Sequence, residues 1–242
     1  MPKPVILITR PQPDAGETAA ILEAQLDVPV IVSPLLGLEV LGPLPATSAD
    51  DRLIFTSANG VRAWTQLNGP RRSAICVGAT TAAFARASGL EAEARGGTAD
   101  RLVQAILADP PTGRLLHIRG EIAQGAVAQT LSRHGMDAEE QVLYRMQAQA
   151  FSAEARSVTQ GAAPVIVPLY SSRSAELFAK AWGLPAPGAA PLYLVCMSAT
   201  VEAATAPLHA QRSVISSTPD RAGMLRGVAE VARWVESRGA AH

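Results

Sequence analysis

An internal repeat with a permuted order constrains the fold of this 242-residue chain more than any other feature of its sequence. The segments IFTSANGV, AICVGATTAAFA and GGTADRLVQAI occupy residues 54–61, 74–85 and 96–106. Each resembles a later segment, at residues 168–175, 193–204 and 216–228 in the same order. Self-similarity at a nearly fixed offset is typical of structurally similar units. The sequence therefore predicts two similar domains.

A fourth match breaks the common order. The segment LLHIRGEIA at residues 115–123 resembles VILITRPQPD at residues 5–14, so one copy ends with the strand that begins the other copy. The simplest arrangement is a discontinuous first domain, formed by residues 1–35 and 148–242, with residues 41–141 forming the second. The extended segments 36–40 and 142–147 then join them as a two-stranded β-ribbon, and we expect a cleft between the domains.

Strand-like and helix-like patterns alternate along the chain, which is typical of α/β proteins with mainly parallel sheets. Short apolar runs predict strands at residues 5–8, 28–32, 54–55, 75–77, 115–118, 165–169, 192–196 and 214–215. The intervening segments have helical spacing, and Gly89, Gly135 and Gly183 mark helix C-termini. We therefore predict an α/β fold of two similar parallel-sheet domains.

Charge and composition exclude several classes of protein. The formal net charge is zero, so no global field draws the chain to nucleic acid or an anionic membrane. No apolar run reaches the roughly 20 residues of a membrane helix, and the N-terminal run is too short for a signal peptide. We expect a cytoplasmic protein. The absence of GxGxxG and P-loop motifs disfavours a nucleotide-binding enzyme.

Metal and disulfide chemistry also find no support in the sequence. Cys76 and Cys196 are far apart and form no CxxC pair, so we interpret both as small buried residues. The histidines show no spacing typical of metal ligands, and we interpret all four as structural or surface residues: His117, His134, His209 and His242. No metal site is predicted.

Seven short motifs together resemble the uroporphyrinogen-III synthase family over essentially the whole chain. They are LITRP (7–11), IFTSANGV (54–61), VGATTA (77–82), GGTADRL (96–102), LLHIRGE (115–121), VLYR (142–145) and VPLYSSRSAELF (167–178). No single motif is diagnostic, but their order and spacing together are specific to the family. One segment, VCMSATVEA, departs from the family pattern, because Met197 occupies the position where a turn glycine is more usual.

The resemblance implies a cofactor-independent lyase of tetrapyrrole biosynthesis, serving haem, sirohaem or corrinoid formation. The family dehydrates hydroxymethylbilane and cyclises it to uroporphyrinogen III, inverting ring D through a spiro intermediate. We accordingly expect a monomer whose partner is this small molecule, with hand-over from the preceding pathway enzyme, and no metal or cofactor. A second hypothesis is a non-catalytic two-lobed protein of the same fold that binds a tetrapyrrole or another anion.

Hydroxymethylbilane, as implied by the resemblance, carries many carboxylates, and helix N-termini beyond the carboxyl ends of strands favour anions. Ser57, Asn59 and Gly60 follow a buried strand and are predicted to form a carboxylate-binding turn. The alternative for Ser57 and Asn59 is simple helix capping. Further predicted contacts are Thr81, Gly120, Ser171, Thr200, Arg10 and Arg119. The two threonines either contact carboxylates or cap helices. The two arginines bind a substrate carboxylate or pair with a neighbouring acid.

Tyr144 is the one predicted catalytic residue. It lies in the returning connector and matches the tyrosine of the family's VYR-like motif. A phenol keeps its proton at neutral pH, so it can donate a hydrogen bond to the departing hydroxyl of the substrate. The alternative is an aromatic side chain that only packs against a domain. A nucleophilic serine is disfavoured because GxSxG is absent.

Overall fold

The computed structural model of the chain describes residues 2–122, 125–183 and 189–239. Its contacts divide the chain into two compact units: unit 1 is Met1–Gly37 with Ala148–His242, and unit 2 is Leu38–Gln147. The chain therefore leaves unit 1 after Gly37 and returns to it after Gln147.

Strands and helices alternate through both units. The strands are β1 (Val5–Ile8), β2 (Val30–Val32), β3 (Leu36–Val40), β4 (Arg52–Phe55), β5 (Ser73–Cys76), β6 (Glu91–Ala94), β7 (Leu115–Gly120), β8 (Ala138–Ala148), β9 (Val165–Leu169), β10 (Leu192–Cys196) and β11 (Arg212–Ile215). The helices are α1 (Asp14–Gln25), α2 (Ala58–Gln66), α3 (Ala79–Ala87), α4 (Ala99–Ala108), α5 (Val127–Arg133), α6 (Ala153–Thr159), α7 (Ser172–Trp182), α8 (Ala199–Ala203) and α9 (Arg221–Gly239). A short 3-10 helix spans Ala206–Leu208.

The strand orders of the two sheets explain the permuted repeat. The sheet of unit 1 is parallel throughout, in the order β11-β10-β9-β1-β2. The second sheet has the order β6-β5-β4-β7-β8-β3, and its first five strands are parallel. The two orders agree once β1 is matched with β7, and β2 with β8. The predicted α/β fold with two mainly parallel sheets is confirmed.

The sixth strand of the second sheet, β3, runs antiparallel to β8. The amide of Leu41 donates to the carbonyl of Leu143 (2.7 Å), and the amide of Gln149 donates to the carbonyl of Leu35 (2.9 Å). Pairing of rising with falling residue numbers defines an antiparallel pair. The segments predicted as a ribbon are thus paired with each other, and β8 also pairs with β7 along its other side as far as Tyr144.

Each unit has an apolar core on both faces of its sheet. In unit 1, Leu7 packs with Phe178 on one face, while Ile6 and Ile8 pack with Met224 on the other. All four residues of β1 are buried. Continuous apolar strands of this kind are typical of parallel sheets covered by helices on both faces.

In unit 2, two apolar clusters cover the two faces of the sheet. Phe55 packs with Trp64 on one face, and Ile54 packs with Leu102 on the other. Burial of a large apolar side chain contributes roughly 1.5–3 kcal/mol to folding. Neighbouring residues of β4 therefore anchor α2 and α4 to opposite faces of the sheet.

At β5 and β10, the structural correspondence of the two repeats differs by one residue from the match that was read from the sequence. The amide of Val77 donates to the carbonyl of Phe55, and that of Met197 donates to the carbonyl of Leu169, both at 3.0 Å. Met197 is therefore equivalent to Val77 and does not occupy the position of a turn glycine, as the sequence match had placed it.

This shift also changes the pairing of the predicted threonines. Gly78 is the N-cap of α3, and Ser198 is the N-cap of α8. Counting from these caps, Thr200 is equivalent to Thr80, so the predicted match of Thr200 with Thr81 is wrong. The physical reason is strand register: Cys76 pairs with Phe55 and Cys196 pairs with Leu169, which aligns residue 76 with residue 196, one position away from the sequence match.

Candidate functional site

A cavity of about 500 Å³ lies in unit 2, beyond the carboxyl ends of β4, β5 and β7. Its walls include Thr56, Ser57, Thr98, Ala99, Gly120 and Tyr144. Ligands of open α/β sheets collect at this edge, where strands end and helices begin. We therefore take this cavity as the candidate active site.

Two helices begin at the wall of the cavity. The hydroxyl oxygen of Ser57 accepts a hydrogen bond from the amide of Asn59 (3.2 Å) and caps α2. The hydroxyl oxygen of Thr98 accepts one from the amide of Arg101 (3.3 Å) and caps α4. Helix geometry leaves the other first-turn amides without an intrahelical partner, and the helix dipole adds partial positive charge. This wall therefore favours anions.

Tyr144 contributes a phenol to the same cavity. It is only 8% exposed, and its ring lies against Gly120. Its backbone carbonyl accepts a hydrogen bond from the amide of Glu121 (2.8 Å), which fixes the backbone of β8 beside the end of β7. Within the described ranges, the Tyr144 hydroxyl has no hydrogen-bond partner, so its proton can be donated to a molecule in the cavity.

Thr56, which lines the cavity, contacts a buried histidine. Its hydroxyl oxygen lies 3.2 Å from Nε2 of His117 on β7. His117 is 1% exposed, and this burial lowers its pKa to about 4. The carboxylate of Glu140 raises this pKa and the guanidinium of Arg119 lowers it, both less strongly. The imidazole is therefore neutral at pH 7.

Comparison with known families identifies the chain. The family model described as uroporphyrinogen-III synthase HemD matches residues 17–226. The chain belongs to the uroporphyrinogen-III synthase family. Uroporphyrinogen-III synthases are cofactor-independent cyclising lyases of tetrapyrrole biosynthesis, and this chain is such an enzyme.

One solved structure supports the uroporphyrinogen-III synthase fold of this chain. The uroporphyrinogen-III synthetase of Helicobacter pylori 26695 superposes with a TM-score of 0.62 at 14% identity, over 95% of this chain and 100% of that one. Two structures of the Thermus thermophilus enzyme, wild type and a triple mutant, have TM-scores of 0.39 and 0.44. Their identities are 15% and 16%, over 97% and 96% of this chain and 99% of each of theirs. No curated protein matches the sequence significantly.

Three of the site residues predicted for this synthase line the cavity: Ser57, Gly120 and Tyr144. Asn59 and Gly60 do not, although they are close in sequence. The Asn59 side-chain oxygen accepts a hydrogen bond from Arg62 (2.8 Å). The amide of Gly60 already donates to the carbonyl of Ser57 (3.1 Å). The amide of Gly60 is therefore used within the protein, and the part of Gly60 in a carboxylate-binding turn stays a prediction.

Close packing explains why residue 60 is a glycine. A Cβ atom there would stand 2.9 Å from the carbonyl oxygen of Ile118 and 3.0 Å from the ring of Phe55. Gly60 thus lets α2 approach the ends of β4 and β7. Its role is to bring the start of this helix to the cavity.

Thr81 and Arg119 also lie outside the cavity wall. Thr81 is the third residue of α3 and is buried, and it does not cap that helix. The Arg119 guanidinium pairs with Glu140 (2.7 Å) and also donates to the carbonyls of Gly120 and Glu121. This hydrogen-bonded ion pair lowers the pKa of Glu140. Arg119 therefore pairs with a neighbouring acid, the alternative considered for it from the sequence.

The predicted residues of unit 1 follow strand ends of their own sheet. Arg10 pairs with Asp14 on α1, and its guanidinium lies 4.1 Å from the ring centroid of Tyr170. The hydroxyl of Ser171 caps α7. Thr200 is the second residue of α8 and is exposed.

The cavity also contains residues that sequence reasoning missed, namely Thr56, Val77, Gly97, Thr98, Ala99 and Ile122. A usable signal existed for three of them, since Gly97-Thr98-Ala99 follows a strand and precedes a helix.

No described helix is long and apolar enough to cross a membrane. The described residues contain no group of three or more His, Cys, Asp or Glu able to hold a metal ion.

Proposed function

We propose that the cavity of unit 2 binds hydroxymethylbilane and directs its closure to uroporphyrinogen III, with inversion of ring D through a spiro intermediate. One observation carries this proposal. The hydroxyl of Tyr144, which has no hydrogen-bond partner among the described residues, lies at a cavity whose wall includes the starts of α2 and α4. Membership of the synthase family does not favour a non-catalytic binding protein.

The carboxylates of the substrate suit the two helix starts. Each pyrrole of the bilane carries an acetate and a propionate, so the molecule is strongly anionic. First-turn amides such as those of Ala58 and Ala99 can donate to these groups, as helix N-termini do for anions generally. A hydrogen bond to a charged group is worth about 1.5–3 kcal/mol. A chain of zero net charge can therefore bind this polyacid through local donors.

Tyr144 suits the step in which water is lost. The electron pair of the adjacent pyrrole nitrogen displaces the hydroxymethyl oxygen, which takes up a proton to leave as water, and the pyrrole N–H releases a proton in turn. A phenol that donates a hydrogen bond to this oxygen stabilises the developing negative charge. Positioned proton donors typically accelerate such steps about 10²–10⁴-fold.

The shape of the cavity suits the choice between two products. By the chemistry of the family, the bilane also closes unaided to the unrearranged isomer I. The enzyme must therefore favour one path over another, and each 1.4 kcal/mol of preference gives about tenfold selectivity. Holding the chain ends in the orientation of spiro closure can supply this preference.

The remaining predicted contacts extend the proposal to unit 1. Ser171, Thr200 and Arg10 stay predicted partners of substrate carboxylates.

All the cavity residues named above belong to one unit of one chain. We therefore also infer that the enzyme acts as a monomer.

Product analysis tests the proposed function. Freshly made hydroxymethylbilane is incubated with the purified chain in the presence of a chelator, and the two isomers are separated by chromatography. We expect isomer III to predominate. Isomer I alone, formed at the rate measured without protein, would contradict the proposal.

A further inference from the structure

We propose that His117 is a positioning residue whose neutral imidazole donates a hydrogen bond to Thr56 and so directs the Thr56 hydroxyl proton into the cavity. The family resemblance assigns no role to this histidine, which was interpreted from the sequence as a structural or surface residue. The inference rests on the proposed function only for the identity of the molecule that the hydroxyl contacts.

The geometry of β4 and β7 places the two side chains together. His117 pairs in register with Ile54, two residues before Thr56, so both side chains project from the same face of the sheet. The distance between Thr56 Oγ1 and His117 Nε2 is 3.2 Å. This is the one hydrogen bond recorded for the Thr56 side chain in the part of the chain that the structure describes. An apolar residue would fill the interior equally well, so the hydrogen bond distinguishes histidine from a packing residue.

The surroundings of His117 determine its tautomer. Two charged groups lie near it, Glu140 on β8 and Arg119 on β7, and they pair with each other at 2.7 Å. Their effects on the imidazole oppose one another, so burial decides its charge and keeps it neutral. The atom Nδ1 is buried without a hydrogen-bond partner among the described residues.

A neutral imidazole carries its proton on only one nitrogen. Orphaned N–H donors are rarer in protein interiors than acceptors with unused lone pairs. The proton therefore sits on Nε2, where it is donated to Thr56, and Nδ1 carries only a lone pair. The Thr56 oxygen accepts this bond, which leaves the Thr56 proton to be donated to another group.

The consequence is that the cavity lining includes two hydroxyls, those of Thr56 and Ser57, that can donate hydrogen bonds into the cavity. Ser57 likewise accepts a hydrogen bond from a protein donor, the amide of Asn59. Both hydroxyls are thus acceptors towards the protein and donors towards the cavity. Together with Tyr144 they form a surface that complements carboxylates and other anionic oxygens.

Nitrogen-15 NMR of the histidine side chains tests the tautomer directly and does not depend on activity. The signal of His117 is assigned by its loss in His117→Gln. At pH 7 we expect neutral imidazole with the proton on Nε2. A proton on Nδ1, or an imidazolium at this pH, would overturn the inference even if the enzyme makes isomer III.

A double-mutant cycle tests the functional link, with melting temperatures measured for every variant. His117→Leu should lower kcat/KM about three- to tenfold, the size expected for one hydrogen bond. In a Thr56→Val background the same change should cause no further loss, because His117 acts through Thr56. His117→Gln, which can still present an N–H, should recover part of the rate. Equal losses in both backgrounds would overturn the inference. Failure of the wild type to form isomer III would instead contradict the proposed function, which the NMR result does not test.

Discussion

The ring of Tyr144 lies against the α-carbon of Gly120, so closely that a methyl group at residue 120 would stand 2.8 Å from Cε2 and 2.9 Å from Cζ of the ring. A register shift between Arg119 and Gly120 brings this end of β7 beside β8. Gly120 thus packs against the ring, and both residues line the cavity. Residues that match separate family motifs form this single contact.

Substitution of Gly120 by alanine should displace the tyrosine. The added methyl group overlaps the ring, and overpacking of this kind costs about 1–3 kcal/mol of stability unless the ring moves away. We expect kcat to fall at least tenfold because the hydroxyl leaves its position, as measured by the initial rate of isomer III formation. Gly78→Ala is the matched control, since a Cβ at Gly78 meets no atom within 4 Å. Equal rates for the two variants would contradict the role given to this contact.

Removal of the Tyr144 hydroxyl alone should slow the enzyme without unfolding it. The hydroxyl has no partner among the described residues, so Tyr144→Phe breaks no hydrogen bond of the fold. We expect kcat to fall about 10²-fold or more, with the melting temperature unchanged. Tyr193→Phe is a suitable control, because the ring of Tyr193 packs edge-on against Trp234 in unit 1. A wild-type rate for Tyr144→Phe would leave this residue a packing role only.

A negative charge at the start of α2 should weaken substrate binding. Asparagine and aspartate cap helices about as well as serine, so Ser57→Asn and Ser57→Asp should retain the fold. The aspartate repels a polyanion, whereas the asparagine does not. We expect KM for the bilane to be at least tenfold higher in Ser57→Asp than in Ser57→Asn, with a smaller ratio at high salt. Indistinguishable KM values would show that carboxylates do not approach this helix.

Acid should destabilise unit 2 through Asp51. This buried carboxylate accepts hydrogen bonds from Arg114 (2.7 Å) and from Ser48, and chiefly the arginine lowers its pKa to about 2. Because the folded pKa lies below the unfolded value of about 4, the stabilisation is complete above pH 4 and is lost as the pH falls towards 2.

Urea unfolding measures this contribution. At pH 7, Asp51→Asn should lower the free energy of unfolding by roughly 2 kcal/mol relative to wild type, and the difference should shrink between pH 4 and pH 2. Asp50→Asn, at the exposed neighbouring position, is the control and should have little effect. A difference for Asp51→Asn that is constant with pH would contradict the account of this ion pair.

Much of the fold could be predicted because local chemistry decides it. Short apolar runs such as Val5–Ile8 became strands, since only a sheet covered on both faces buries every residue of such a run. Gly89, Gly135 and Gly183 were predicted to follow helices, and all three have positive φ, a conformation that glycine adopts without steric cost. The permuted order of the repeats predicted that β1 would correspond to β7.

The site was harder to predict because it depends on register and close approach. The sequence match paired Thr81 with Thr200, but the register of β5 and β10 against their neighbouring strands makes Thr80 the equivalent of Thr200. Gly60 was predicted to belong to a carboxylate-binding turn, while its neighbours across the sheet require a glycine there for packing. His117 has the sequence environment of any buried strand residue, and only the pairing of β4 with β7 places it beside Thr56.

The central claim is that the carboxylates of the tetrapyrrole bind at the first turns of α2 and α4, and amide NMR tests it most directly. Uroporphyrinogen III is generated anaerobically from hydroxymethylbilane by the nitrogen-15-labelled enzyme, and the spectra before and after are compared. Among the amides of unit 2, we predict the largest shifts for those of Ser57 to Asn59 and of Thr98 to Asp100. Unchanged amides at both helix starts, with shifts concentrated elsewhere in unit 2, would contradict the claim.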